Sequence, residues 1–250
     1  MNTIEADRTG NIIAGLLENR QAGQALALLD PILSTKIAFR LLDRIGARIG
    51  AGPLPQTNAF LEKIAREKKM GGWPLIGSAL AGQLDRDLEG ALGRCRSFIV
   101  SADVWYAANT LAERVPGAAL VADFLRTLPH LARWRSDPDR WVRKSAGVAI
   151  HLWTKRSRGE ARHLPHVKKL LAFLDPMFTE QELDAVKGVG WALKTMGRYY
   201  PEAVTEWPER KVSRGGGYPR KAGFRALMLR KAKTYLPEND RKRILKAAAR

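Results

Sequence analysis

Apolar residues recur at helical spacing along almost the whole chain. Leu170, Leu171, Phe173 and Leu174 form one cluster, and Leu183, Val186, Val189 and Leu193 another. Positions three and four apart share one side of a helix, so each cluster marks a stripe to be buried. The strict alternation of half-buried strands is scarce. Pro, Gly and capping residues cut the pattern into about a dozen segments of roughly 10 to 20 residues, the usual length of globular helices. Candidate helix starts are Thr57, Pro129, the run Asp137 to Asp139, Thr179, Pro201, Pro219 and Asn239. Thr179 followed by Glu182 has the form of a capping box, in which each side chain satisfies the other residue's orphan backbone donor.

Short helices without strands bury their stripes on one another, either in a globular bundle or in an α-solenoid. Two segments favour the solenoid. Asp137-Pro138-Asp139-Arg140-Trp141-Val142-Arg143-Lys144-Ser145-Ala146 resembles the start of the inner helix of a HEAT-type repeat, with turn residues and then an apolar residue followed by a basic one. Asp184-Ala185-Val186-Lys187-Gly188-Val189-Gly190-Trp191-Ala192-Leu193 repeats the valine, basic, small arrangement. Val142 and Val186 lie 44 positions apart, within the ~40 to 47 residue period of HEAT and armadillo units. The triple glycine in Ser213-Arg214-Gly215-Gly216-Gly217-Tyr218-Pro219 breaks helix on backbone entropy. The expectation is one repeat-built domain over 1–250: N-terminal helices in 1–90, motif-bearing repeats in 91–212, and basic C-terminal helices in 213–250.

Composition supports a folded chain, with 45% hydrophobic residues and seven Trp. The net charge of +18 attracts polyanions, so a nucleic acid or an anionic membrane surface is the first partner to weigh. Its distribution is uneven. Residues 1–125 carry 14 Lys and Arg against 13 Asp and Glu, whereas residues 126–250 carry 29 against 12. An even basic surface would put about +9 in each half.

Cys95 is the single cysteine, which excludes an intramolecular disulfide and a multi-Cys zinc cluster and suits a reducing compartment. No secretory signal and no run of ~18 apolar residues is present, so the expectation is a soluble, cytoplasmic protein that does not enter membranes. His130, His151, His163 and His166 are scattered; the last two read as a solvated helix start rather than a zinc site. No phosphate-binding G-x-x-x-x-G-K-[ST] loop occurs. No metal or other cofactor is expected, no obligate protein partner is indicated, and a repeat stack gives no reason to require more than a monomer.

Lys187-Gly188-Val189-Gly190-Trp191-Ala192-Leu193-Lys194, followed by Tyr200-Pro201-Glu202-Ala203-Val204, resembles the AlkD-type DNA alkylation repair proteins. Their segment reads like K-A-I-G-W-x-L-R-E and is followed by N-P-x-x-V. Upstream, Trp141-Val142-Arg143-Lys144-Ser145-Ala146 resembles that family's W-V-R-R-x-A helix. The resemblance covers about residues 95 to 210. It implies an all-α, right-handed superhelical solenoid of HEAT-like repeats whose basic concave face cradles double-stranded DNA. It further implies hydrolysis of the N-glycosidic bond of cationic alkylated purines, N3-methyladenine and N7-methylguanine, by a monofunctional glycosylase that works without inserting the base into a pocket. An alkylated purine is a good leaving group, and its departure leaves an oxocarbenium-like sugar. A carboxylate and electron-rich ring faces stabilise that charge, each ring by about 0.5 to 2 kcal/mol.

Carried over residue by residue, Trp191 takes the position of the family's tryptophan at the lesion, the alternative being a core tryptophan. Lys144 falls where the family has an active-site arginine, keeping the charge but not the bidentate fork. The family's W-D-x-x-D segment is altered to Ala102-Asp103-Val104-Trp105-Tyr106. Asp103 corresponds to the first aspartate, and Tyr106 stands where the resemblance expects the catalytic one. On one helix Asp103 and Tyr106 would share a face, with Trp105 supplying an aromatic wall; alternatively Asp103 is a helix-start cap. Arg143, Lys144, Lys187 and Lys194 are candidate DNA contacts on the motif-bearing helices. Arg210, Lys211, Arg214, Arg220 and Lys221 surround the triple glycine, where basic side chains can follow phosphates. Two other functions fit the same pattern: a non-catalytic relative that detects unusual DNA structure, and a HEAT-like adaptor for an acidic protein.

Overall fold

The computed structural model describes residues 1–213 and 223–248, with side chains left undescribed at 208–223, 225, 245 and 247–248. Among the described residues the chain is helical and contains no strand. It divides into two compact units, Met1–Ala119 and Leu120–Arg250.

Unit 1 contains α1 (Thr3–Glu18), α2 (Ala22–Leu33), α3 (Phe39–Gly50), α4 (Leu54–Arg66), α5 (Gly72–Ala81), α6 (Leu88–Ala102) and α7 (Trp105–Ala112). Each odd-numbered helix packs on the odd-numbered helix before it, α1 on α3, α3 on α5 and α5 on α7, and α2 packs on α4 behind them. The α3–α5 crossing is parallel: Gly46 faces the Leu75 main chain and Gly50 the Ala79 main chain. Ile45, Ile49, Phe60, Leu61, Trp73, Leu75 and Ile76 form the core. At ~25 cal/mol per Å2 of apolar surface, each such side chain contributes about 1.5–3 kcal/mol when buried. Arg114 and Ser78 both bond the Asp43 carboxylate, at 2.9 Å from Arg114 Nη2 and 2.8 Å from Ser78 Oγ.

The boundary between the units falls inside the short helix α8 (Ala118–Ala122). Unit 2 continues with α9 (Phe124–Arg135), α10 (Arg140–Ser157), α11 (Leu164–Leu174), α12 (Leu183–Tyr199), α13 (Pro201–Ser213), α14 (Gly223–Ala232) and α15 (Glu238–Ala248). Again alternate helices stack, α10 on α12 and α12 on α14 in one layer, α11 on α13 and α13 on α15 in the other. Residues 44 positions apart meet at both ends of the α10–α12 contact. Arg140 pairs with Asp184, and His151 bonds Thr195. Those two helices are therefore parallel and in register, with the spacing already visible between Val142 and Val186.

Several expected helix starts are corrected. Thr57 lies inside α4, whose start is set by Pro53 and Pro55; its hydroxyl donates instead to the Ile49 carbonyl at 3.3 Å. Pro129 lies inside α9, which begins at Asp123, whose carboxylate accepts from the Arg126 amide at 3.0 Å. The capping box between Thr179 and Glu182 does not form. Thr179 ends a 3-10 turn and donates to the Pro176 carbonyl, while the neighbouring Glu180 caps the following amides. Asp139 and Pro201 do open α10 and α13, and Asn239 lies in the first turn of α15. Pro219 and the triple glycine lie outside the described residues.

Candidate nucleic-acid interface

The first turn of α10 is held by two aspartates. The Asp137 carboxylate accepts from the Asp139 amide at 2.9 Å, and Asp139 accepts from the Trp141 and Val142 amides at 2.8 and 3.0 Å. These acceptors satisfy donors that the first helical turn leaves open. Arg143 then ties this turn to the segment before α12. Its Nε and Nη2 bond the Glu180 carboxylate at 2.6 and 3.2 Å, and its Nη1 donates to the Asp137 and Pro138 carbonyls at 2.7 and 2.9 Å. Glu180 Oε1 also accepts from the Gln181 and Glu182 amides at 3.0 and 2.9 Å.

The Glu180 contact raises the Arg143 guanidinium's hold on its proton. Burial pushes the Glu180 carboxyl up, but the bonds from Arg143 and the backbone outweigh it, leaving the group below its ordinary range. Arg143, expected as a DNA contact, thus has its guanidinium engaged by four oxygen atoms of the protein's own, two of the Glu180 carboxylate and two main-chain carbonyls; its geometry is that of a structural clamp.

Past the clamp, α10 and α12 touch backbone to backbone. A Cβ on Gly188 would overlap the Lys144 carbonyl oxygen and one on Gly147 the Gly188 main chain, so only glycine permits this approach. The crossing brings two stripes side by side. On α10, Arg140, Lys144, His151 and Lys155 follow helical spacing; on α12, Asp184, Lys187, Trp191, Lys194 and Arg198 do so. Lys187 pairs with Asp184 at 3.3 Å, within its own helix. Lys144 is only 6% exposed and makes no ion pair among the described residues. Its Nζ lies 4.9 Å from the Trp141 ring centre, with the Arg140 guanidinium 5.0 Å from the same ring. Burial pushes the Lys144 ammonium's pKa down and Lys187 adds to this, while Asp184 opposes it. Lys194 and Arg198 sit 5.2 and 5.5 Å from the Tyr235 ring centre.

Trp191 is half-buried, neither a core tryptophan nor a free one. Its ring stacks on His151, with centroids 4.2 Å apart and planes at 26°. His151 Nδ1 lies 2.6 Å from Thr195 Oγ1, and that hydroxyl donates to the Trp191 carbonyl at 3.1 Å. Burial, helped by Lys155 and Lys194, pushes the His151 pKa down to about 4. Sequence spacing alone leaves His151 among scattered histidines; the signal that marks it is the 44-residue offset from Thr195. His163 and His166 do stand at the start of α11, but packed rather than solvated. His166 stacks on Phe124 at 4.1 Å and meets Trp153 edge-on. No group of three or more His, Cys, Asp or Glu among the described residues could hold a metal ion, and no described helix is long and apolar enough to cross a membrane.

In unit 1, Asp103 is not a helix-start cap. It closes α6 in the left-handed conformation, φ 46° and ψ 42°, with its amide donating to the Ile99 carbonyl. Tyr106 belongs to the next helix, so the two residues do not share one helical face. Trp105 opens α7 and is 58% exposed, with its ring edge-on to Tyr106 at 5.9 Å. The structure therefore groups Lys144, Lys187, Trp191 and Lys194 in unit 2, and Asp103, Trp105 and Tyr106 in unit 1. Arg214, Arg220 and Lys221 lie outside the described residues, as do the side chains of Arg210 and Lys211.

No curated protein matches the chain. The family model for DNA alkylation repair enzymes matches residues 53–236, spanning α4 to the end of the 3-10 turn after α14 and taking in both motif-bearing helices. The chain belongs to the DNA alkylation repair enzyme family.

Proposed function

We propose that this protein is an AlkD-like glycosylase that holds alkylated duplex DNA and hydrolyses the N-glycosidic bond of cationic N3- or N7-alkylpurines. The observation that carries the reading is the α10–α12 face, where a half-buried tryptophan on α12 stands among the basic side chains of two in-register stripes. Parallel stacking of alternate helices supports a HEAT-like solenoid, in which equivalent faces repeat along one side. In this reading Lys144, Lys187 and Lys194 attract phosphates, and the Trp191 ring faces the sugar as positive charge develops on it. Asp103 and Tyr106 remain the candidates nearest the family's acidic motif, and exposed Trp105 a candidate stacking contact. Arg143 acts indirectly, by holding α10 against the segment before α12.

The test is incubation of excess protein with methylated duplex DNA and chromatography of the released bases. N3-methyladenine or N7-methylguanine should appear well above the spontaneous rate; release of neither at any protein excess would overturn the enzymatic reading. Duplex affinity should also fall with salt, by a slope of about 0.9 per phosphate neutralised. A second reading, a DNA-binding relative without catalysis, is favoured by the tyrosine at position 106. Steep salt dependence without base release would select it, and salt-independent binding would reject both.

A further inference from the structure

We propose that His151 is a catalytic residue of this face, binding the attacking water through Nε2. This inference rests on the glycosylase reading above. It begins with hydrogen counting. The Thr195 hydroxyl has one hydrogen, and donates it to the Trp191 carbonyl at 3.1 Å. To the 2.6 Å contact with His151 Nδ1 we assign an imidazole donor, since a hydroxyl whose hydrogen lies on the Trp191 carbonyl keeps its lone pairs to accept. In this assignment the ring is the Nδ1–H tautomer, and Nε2 carries the lone pair. Stacking on Trp191 at 4.2 Å fixes the plane of the ring, and the Thr195 bond fixes its rotation within that plane.

The environment keeps this acceptor available. Burial and the flanking charges of Lys155 and Lys194 disfavour the imidazolium, so near neutral pH the ring stays uncharged. Hydrolysis needs little from the base at first, because departure of a cationic purine leaves an electrophilic sugar that water attacks readily. Water donates one O–H to His151 Nε2 while its oxygen bonds C1′. The C1′–N bond breaks and its electron pair neutralises the purine. The extra proton on the new C1′ oxygen passes to Nε2 and then to solvent. The protonated hydroxyl is a far stronger acid than imidazolium, so even a weakly basic ring accepts that proton. A cationic nucleotide and water thus give an abasic sugar, a neutral base and a proton. Thr195 acts through His151 as a positioning residue.

Two substitutions separate the roles. His151→Asn retains an amide near Nδ1 that can donate to Thr195, but removes the acceptor at the Nε2 position. His151→Gln carries an amide oxygen out to that position. Single-turnover excision of N7-methylguanine should fall about 100-fold in His151→Asn and recover in part in His151→Gln. Affinity for a duplex carrying 2′-fluoro-N7-methyldeoxyguanosine, which resists cleavage, should stay within about twofold in both. Unchanged excision in His151→Asn overturns the proposal while leaving the glycosylase reading intact. Equal losses of excision and of binding in both variants also overturn it, since a merely structural role predicts that pattern. If the unmodified protein releases no base, the glycosylase reading fails and this proposal with it.

Discussion

Gly188→Ala should weaken unit 2, although alanine is the better helix former. The added Cβ would overlap the Lys144 carbonyl oxygen and stand 2.9 and 3.0 Å from that residue's Cα and carbonyl carbon. All three obstacles are main chain, so no rotamer change relieves them, and α10 and α12 must separate. Overpacking of this kind costs about 1–3 kcal/mol, and an unyielding neighbour argues for the upper end. The helix-propensity gain of Ala over Gly returns about 1 kcal/mol. The net loss is about 2 kcal/mol, or a fall in melting temperature of roughly 5–8 °C. Gly93→Ala in α6 is the control, because a Cβ there meets nothing within 4 Å. That variant should gain about 0.5–1 kcal/mol. Thermal unfolding followed by circular dichroism reads both. A Gly188→Ala protein as stable as Gly93→Ala would refute the inferred backbone contact. Because Gly147 faces the same spot from α10, the double variant Gly147→Ala/Gly188→Ala should lose less than the two single losses combined.

Glu180→Gln should cost about 2–3 kcal/mol in urea unfolding, since it leaves the Arg143 guanidinium, only 15% exposed, without its counter-ion. The lowered folded pKa of Glu180 gives its stabilisation a direction in pH: present above the ordinary glutamate range and lost as pH falls through the folded value. A Glu180→Gln protein whose acid unfolding curve matches that of the parent would contradict this. The folded pKa of His151, about 4 against an ordinary 6.5, opens a second window. The neutral ring favours folding fully above pH 6.5, and up to about 3 kcal/mol is lost as pH falls from there to 4, a slope that His151→Gln should remove in pH-dependent urea titrations. Lys144→Met should hold or raise the melting temperature, since it removes a buried charge with no ion pair among the described residues, yet flatten the logarithmic salt slope of duplex binding by about 1. A drop in stability with an unchanged slope would place Lys144 in the fold rather than at phosphates. Burial holds the Cys95 thiol protonated, so native protein should react with a thiol-directed disulfide reagent far more slowly than protein in denaturant.

Features governed by near neighbours were legible in the sequence, and those governed by distant charges were not. Asp139 caps α10 because its acceptors and donors lie within three residues. Thr179 and Glu182 have the same local form, yet Glu180 takes the amides. Its carboxylate is also bound by Arg143, 37 residues away, and a charged acceptor shared with a guanidinium outcompetes a hydroxyl. Asp103 misled for a related reason. Ser101-Ala102-Asp103 reads as the beginning of a helix, but Phe98, Ile99 and Ala102 are buried as the last turn of α6, so the aspartate is left to end the helix in the left-handed region.

The repeat spacing was visible, but only through apolar positions. Val142 and Val186 suggest that α10 and α12 are equivalent, and parallel packing carries the same offset of 44 to other residues on their facing sides. Applied to polar residues, it pairs Arg140 with Asp184 and His151 with Thr195, both of which meet in the structure. Applied to Lys144, it falls on Gly188, the position where the backbones must touch. A period thus does more than identify a repeat. Once two helices are parallel and in register, it states which side chains face one another, and here it converts His151 from a scattered histidine into one bonded to Thr195 beside Trp191. The same constraint explains why Lys144 is a poor substitute for a free surface lysine. It sits at the closest approach of two helices, so its charge is held near Trp141 by packing, and its contribution to binding depends on Gly188 remaining without a side chain.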